Sequence, residues 1–122
     1  MLENELLLDL ETEKYDVILF LSISKWIHLN YGDNGLILTF KRIYKQLRKG
    51  GIFIIESQLW STYKKRKNLN ADILKNYKMI KLKPDMFKEY LLNTIGFTSY
   101  NKFDTINHQN KGFRRPIEIF TK

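Results

Sequence analysis

The sequence predicts an α/β protein, with an open sheet of parallel strands that ends in an antiparallel hairpin. Residues 15–22 read YDVILFLS, a nearly continuous apolar run typical of a strand buried on both faces. A helical pattern and then Gly50-Gly51 precede a second apolar run, which indicates a βαβ unit with parallel pairing. Two further strand-like segments close the sequence, and the polar stretch between them suits a turn that pairs them in opposite directions.

The spacing of apolar residues predicts the first helix and where it ends. Residues 36–47 are predicted to be a helix, because their apolar side chains recur at helical intervals opposite a cationic face. The polar segment 32–35 precedes this helix, and we expect Asp33 to cap its N-terminus. Residues 49–51, Lys-Gly-Gly, should end the helix. Residues 52–56 are then the second strand.

The second half of the chain predicts shorter elements. Residues 61–70 are basic and are expected to form a loop, and residues 71–77 indicate a weak helix. Another helix should start at Pro84, whose fixed φ suits a first turn, and stop at Gly96. The final strands are predicted at residues 97–105 and 117–121.

Charge divides the chain unevenly. The formal net charge is +8, but residues 1–16 hold six acids and one lysine, a net of −5, so residues 17–122 carry +13. We therefore separate an acidic lead-in, residues 1–14, from a basic domain, residues 15–122. Such a domain attracts a polyanion, and nucleic acid is the first candidate. A lysine-rich surface that only meets solvent is the alternative.

Composition also argues against several classes of protein. The chain has no cysteine and two histidines, which excludes disulfides and argues against a metal site. The longest apolar run, residues 17–21, is too short to cross a membrane, and the N-terminus lacks the pattern of a signal peptide. Phosphate-binding glycine loops and a nucleophile elbow are absent from the sequence. We expect an intracellular protein without a membrane or metal partner.

The candidate functional residues follow the two parallel strands, where open α/β sheets bind ligands. Lys25 comes after the first strand and could bind a phosphate as a point charge. His28 could donate to that phosphate or act as a base, or it could be a core histidine with its polar atoms satisfied internally. Asn30 could help to orient the same group.

The segment after the second strand places aromatic residues before a run of cations. Trp60 and Tyr63 precede Lys64-Lys65-Arg66-Lys67, a combination that suits an unpaired RNA end, with bases to stack and phosphates to neutralise. Phe113 and Arg114 repeat the theme near the C-terminus. The alternatives are a solvated basic loop and a hairpin tip with an inward phenylalanine.

Taken together, these motifs resemble the C-terminal half of Bin3-type RNA methyltransferases. The matching segments occur in order: YDVILFLSISKWIHLNYGDNGL, LRKGG, ESQLWSTYKKRKNL, KNYKMIKLKPDMF and KGFRRPIEIF. The resemblance covers residues 15–122, and its most specific parts are SKWIHLN and the WSTYKKRK segment. That family includes the methylphosphate capping enzymes of small nuclear RNA.

The resemblance implies a partial Rossmann-like fold that uses S-adenosylmethionine to methylate a 5′-terminal phosphate of RNA. It implies that Leu21 and Ser22 border the cofactor. It places Lys25, with help from His28 and Asn30, at the phosphate. The residues expected to face RNA are Trp60, Tyr63, Lys65, Arg66, Lys67, Phe113 and Arg114.

The same resemblance predicts what the chain lacks. Family members carry an upstream half with a glycine-containing cofactor loop, and residues 1–14 cannot supply it. We therefore expect the isolated chain to show little or no activity and to have that missing half as a partner. A non-catalytic RNA-binding module derived from the same fold is the alternative. A nuclear location is favoured over a cytoplasmic one by the family's commoner setting.

Overall fold

Four strands form one sheet in the computed structural model, which describes residues 8, 10–103 and 117–122. They are β1 (Tyr15–Leu21), β2 (Leu47–Glu56), β3 (Ser99–Phe103) and β4 (Ile117–Thr121). The sheet order is β1-β2-β4-β3. β1 pairs with β2 in parallel, and β4 runs antiparallel to both β2 and β3. The predicted parallel pair and the predicted C-terminal antiparallel pair are therefore both confirmed.

The first helix, α1 (Ser24–Gln46), begins earlier than predicted. Its first turn closes directly after β1, where the amides of Trp26 and Ile27 donate to the carbonyl of Ile23. Gly32, with φ 72° and ψ −170°, interrupts the helix and kinks it. The prediction that Asp33 caps the second part is wrong, because its carboxylate binds side-chain and backbone groups elsewhere in the fold.

The Lys-Gly-Gly segment lies inside β2, contrary to the prediction that it ends the helix. α1 stops at Gln46 and the strand starts at Leu47, which is buried and pairs with Tyr15. The pairing is irregular just beyond this point. A Cβ on Gly51 would lie 2.8 Å from the Arg48 carbonyl oxygen. The irregular strand therefore needs glycine for close backbone approach.

Three helical segments follow β2. The predicted loop at residues 61–70 is partly wrong, since α2 (Trp60–Tyr63) occupies its start. α3 (Ala71–Met79) confirms the weak helix, and the Asn70 side chain caps it by accepting from the Ile73 amide at 2.8 Å. The last segment is helical from Pro84, as predicted. It comprises a 3₁₀ turn (Pro84–Met86), α4 (Phe87–Tyr90) and a π turn (Leu91–Ile95), and Gly96 follows at φ 111°.

The core lies on one face of the sheet. Alternate residues of the strands, such as Phe20, Phe53 and Phe120, point to this face and pack against Phe40 of α1 and Phe87 of α4. A smaller cluster forms beside it, where α1 packs against α2 and α3; its buried members are Leu29, Tyr63, Ile73 and Ile80. This second cluster holds the segment after β2 against the segment after β1.

The opposite face of β1 is exposed. Val17, Leu19 and Leu21 alternate with the core residues and are 49%, 57% and 43% exposed. β1 is also an edge of the sheet in the described residues, since it pairs with β2 alone. Within the same described part, we find no helix with the length and apolar character needed to cross a bilayer.

Candidate active site

The C-terminal ends of β1 and β2 meet, as the sequence predicted. Leu21 pairs with Glu56 in the last register position, and the Ser22 hydroxyl donates to the Glu56 carboxylate. Ser22 has φ 57°, a left-handed conformation that is uncommon for serine and frequent at functional turns.

The two segments that leave these strands are joined by Gln58. Its buried side-chain oxygen accepts from the Ser24 hydroxyl at 3.1 Å and from the Lys25 amide at 3.4 Å. The backbone that carries Lys25 is therefore tied to the segment after β2. Residues 22–30 and 56–67 therefore come together at this end of the sheet.

A hydrogen-bonded chain of three side chains deepens this connection. His28 is fully buried, with Nδ1 2.9 Å from the Tyr63 hydroxyl and Nε2 2.6 Å from the Asp33 carboxylate. The other Asp33 oxygen accepts from the amides of Lys81 and Leu82, at 2.8 and 3.1 Å. The Tyr63–His28–Asp33 chain thus links α1, α2 and the segment before Pro84.

Burial and hydrogen bonding determine the protonation states of Tyr63, His28 and Asp33. Burial lowers the pKa of His28 against the opposing effect of Asp33, so the imidazole is neutral at pH 7. Burial alone would raise the pKa of Asp33, but bonds from His28 and the two backbone amides bring it below its usual value. Burial also raises the pKa of Tyr63. This pattern assigns the Nε2–H donor to Asp33 and the Tyr63 hydroxyl donor to Nδ1.

Two predicted site residues are therefore not on the surface. Tyr63 has no exposed area, so its ring cannot stack on a base, which corrects its predicted place at the RNA. His28 follows the alternative of an internally satisfied histidine, with side-chain partners on both nitrogens. Asn30 is exposed, and its amide donates to the Trp26 carbonyl oxygen at 2.8 Å.

Cations approach the faces of two exposed or half-buried tryptophans. The Lys25 ammonium and the Arg66 guanidinium lie 5.9 and 5.8 Å from the centre of a Trp26 ring. Trp60 stacks on Tyr77 with ring centres 4.9 Å apart and planes 2° from parallel. The Lys83 ammonium lies 5.2 Å from the centre of the Trp60 ring.

The basic run is therefore partly organised by aromatic rings. The Lys67 ammonium lies 5.6 Å from the centre of the Tyr77 ring, and Lys65 is exposed. Sequence reasoning missed Tyr77 and Lys83. Their signal was present in KNYKMIKLKP, where an aromatic residue lies among lysines as in the segment after β2.

Two predicted RNA-facing residues, Phe113 and Arg114, lie outside the described residues. Phe103 and Ile117, which flank that stretch, pair with each other. Glu118 pairs with Ile55 next to the end of β2. The end of β3 and the start of β4 therefore lie next to the C-terminal end of β2, at the same end of the sheet as the candidate site.

The whole sequence is similar to named enzymes. Residues 15–122 match the family Bin3, Bicoid-interacting protein 3. The chain is 48% identical over 123 aligned positions to the human 7SK snRNA methylphosphate capping enzyme and 49% identical to the Drosophila melanogaster U6 snRNA methylphosphate capping enzyme Amus. All of the chain is covered in both cases, but it spans only 18% of the human relative and 41% of the fly relative.

A solved structure shows the same fold at low identity. A SAM-dependent methyltransferase of Thermotoga maritima matches with a TM-score of 0.57 and 17% identity, covering 92% of this chain and 58% of that one. The predicted partial Rossmann-like fold of SAM-dependent methyltransferases is confirmed by this likeness.

Proposed function

The chain belongs to the Bin3 family, and on that premise we propose that residues 15–122 form the C-terminal part of a domain that methylates a 5′-terminal phosphate of RNA. The main support for the proposal is that hydrogen bonds from Ser24 and Lys25 to Gln58 hold the segments after β1 and β2 together. Cationic and aromatic side chains lie close to these bonds, and such groups suit an unpaired nucleic-acid end. The relatives' names, methylphosphate capping enzymes, support the same chemistry.

Lys25 is the residue that we assign to the phosphate. A phosphate oxygen is already anionic at neutral pH, so its methylation needs orientation and no strong base. Lys25 can supply that orientation from a backbone fixed by Gln58. Asn30, exposed five residues further on, remains a candidate for a second contact. His28 is assigned a positioning role, because it is neutral and buried behind this surface.

S-adenosylmethionine is the methyl donor that we propose, and the residues at the end of β1 suit one wall of its pocket. Leu21 offers exposed apolar surface, and Ser22 holds a turn that its bond to Glu56 stabilises. When bound, the cofactor would supply an electrophilic methyl group. The remaining walls would come from the upstream half, so this chain alone should bind the cofactor weakly.

The RNA would lie across the aromatic and cationic surface. Trp60, Lys65, Arg66 and Lys67 are the described residues that we assign to it, with Tyr63 supporting them from below through His28. Phe113 and Arg114 stay predictions. The acidic lead-in, residues 1–14, is given no contact with RNA, because its charge would repel phosphates.

The proposed partner within the protein is the upstream half of the domain. It would extend the sheet at β1 and cover the exposed Val17 and Leu19. We also propose a nuclear location, which the small nuclear RNAs in the relatives' names support.

A methyl-transfer assay tests the proposal. This chain, joined to the upstream part of a Bin3 relative, should transfer labelled methyl from S-adenosylmethionine to a 5′-phosphorylated RNA and leave a 5′-hydroxyl RNA unmodified. Lys25→Ala should lower turnover about 100-fold, the scale seen when one preorganised charge partner is removed. Lys41→Ala, an exposed lysine on α1, is the matched control. Equal turnover in the two variants, or equal labelling of both RNAs, would refute the assignment.

The isolated chain supplies a second arm of the test. We expect residues 1–122 to bind 5′-phosphorylated RNA without turning it over. RNA binding with no turnover in the joined protein either would favour the non-catalytic RNA-binding module instead.

A further inference from the structure

The start of α1 is capped by a side chain from another segment of the protein. Ile23, the residue in the N-cap position, makes no side-chain hydrogen bond to the first turn. The side-chain oxygen of Gln58 takes that role, since it accepts from the Ser24 hydroxyl at 3.1 Å and from the Lys25 amide at 3.4 Å. The first amides of a helix have no partner within it, so this outside acceptor fixes where α1 begins.

We propose that Gln58 determines specificity for a 5′-phosphorylated end, because its uncharged amide positions Lys25 without placing a negative charge beside the bound phosphate. Gln58 acts through Lys25 and is therefore a positioning residue. The inference rests on the proposed function and deepens it, since it assigns the preference for the phosphate to a residue that binds no part of it.

Burial makes Gln58 a fixed part of the framework. Gln58 is 3% exposed and Ser24 is fully buried, so water does not compete for the bond between them. A buried donor that loses its acceptor is destabilising, which holds the two segments in one arrangement. Lys25 is the next residue along α1 and is half-buried, so its side chain leaves for the surface from a backbone held inside.

The charge of the capping group matters because of where it lies. Its oxygen is 3.4 Å from the backbone nitrogen of Lys25, the residue that we assign to the phosphate. A carboxylate there would accept the same two bonds and would suit a helix N-terminus. It would also attract the Lys25 ammonium and repel the phosphate, at a distance set by one lysine side chain and too short for salt to screen fully.

The acids of the adjoining segments are separated from this cap. Residues 24–27, the first turn of α1, contain no aspartate or glutamate. Glu56, two residues before Gln58, accepts from the Ser22 hydroxyl at the end of β1. The start of α1 is thus held by a neutral acceptor, which leaves Lys25 as the charge at this end of the helix.

Two substitutions separate the charge of the cap from its support of Lys25. Gln58→Glu keeps an acceptor of the same shape and adds the charge, whereas Gln58→Met removes the acceptor at similar size. The full chain is titrated with one short RNA that carries either a 5′ phosphate or a 5′ hydroxyl, and the ratio of the two affinities measures recognition of the phosphate. At about pH 8.5 this ratio should fall about tenfold in Gln58→Glu and about threefold in Gln58→Met. Asn34→Asp adds the same charge at an exposed position of α1 and should keep the wild-type ratio.

The pH dependence identifies the cause. Relative to the wild type, the loss in Gln58→Glu should grow between about pH 6 and pH 9 as its carboxylate ionises, whereas the loss in Gln58→Met should stay constant. A wild-type ratio in either variant at about pH 8.5, or equal losses in Gln58→Glu and Asn34→Asp, would overturn the inference. Gln58→Met keeps the test decisive if thermal unfolding shows that Gln58→Glu does not fold. A wild type that binds both RNAs equally would instead remove the proposed function, and this inference with it.

Discussion

At the scale of single residues, the buried His28 shows how this site is held without being exposed. Its two nitrogens join Tyr63 to Asp33, and Asp33 in turn fixes the backbone at Lys81 and Leu82. The bond between His28 and Tyr63 is buried, and an unsatisfied polar group in the interior costs about 1–3 kcal/mol. His28 therefore positions the segments on either side of the candidate active site.

This role predicts a stability that depends on pH. The pKa of His28 is below its ordinary value of 6.5 in the fold, so the unfolded chain takes up a proton more readily. The contribution of His28 to stability is fully present above the pKa that this histidine has in the unfolded chain, and it is lost as the pH falls below that value. The melting temperature of the wild type should thus drop between about pH 7 and pH 5.

His28→Asn isolates that effect. At pH 8 the free energy of unfolding of the variant should be about 1–3 kcal/mol lower than that of the wild type. The variant should also lose less stability on acidification. Lys41→Ala, at an exposed lysine of α1, is the control and should keep the wild-type slope. Identical slopes in wild type and His28→Asn would show that this imidazole does not govern the acid limb.

The sequence identified the residue types at this site but not how deeply each side chain is buried. Lys25, Trp60 and the basic run were recognised because cations and aromatics follow two strands. A core histidine at position 28 was one of the interpretations that the sequence allowed, whereas the burial of Tyr63 could not be predicted, because it depends on α2 and α3 folding back on α1. Asp33 suited a helix cap by local rules, and a contact 48 residues away overrode them.

At the scale of elements, the kink in α1 decides where the site lies. Gly32 breaks the helix between the part that carries Lys25 and His28 and the part that packs in the core. A Cβ on Gly35 would lie 2.2 Å from the Cβ of Tyr31, so the two parts meet closely at the bend. The sequence predicted only the second part, because apolar periodicity is regular there.

The kink predicts that Gly32 is hard to replace. Its φ of 72° and ψ of −170° lie in a region populated almost only by glycine, and an alanine there costs of order 1–3 kcal/mol. Gly32→Ala should lower the free energy of unfolding by that amount and weaken RNA binding by displacing Lys25. Asn34→Ala, at an exposed neighbouring position, should do neither, as chemical denaturation and RNA titration can measure. Full stability in Gly32→Ala would mean that the bend is not required.

At the scale of the whole molecule, the sheet is asymmetric. One face is covered by helices around Phe53, whereas the other face of β1 exposes Val17 and Leu19. The run YDVILFLS predicted a strand buried on both faces. The structure shows burial on one face only, which agrees with a sheet that the proposed upstream half would complete.

That asymmetry makes the exposed face of β1 the place to test assembly. Val17→Lys with Leu19→Lys should leave this chain folded, because both side chains already meet solvent on an edge strand. It should abolish co-purification with a separately produced upstream part of the fly relative, because two charges would then be buried without partners. Tyr31→Lys, at a residue that is 71% exposed on α1, is the control and should retain the partner. Undiminished assembly of the double variant would place the upstream half elsewhere and leave the apolar strand without an explanation in this fold.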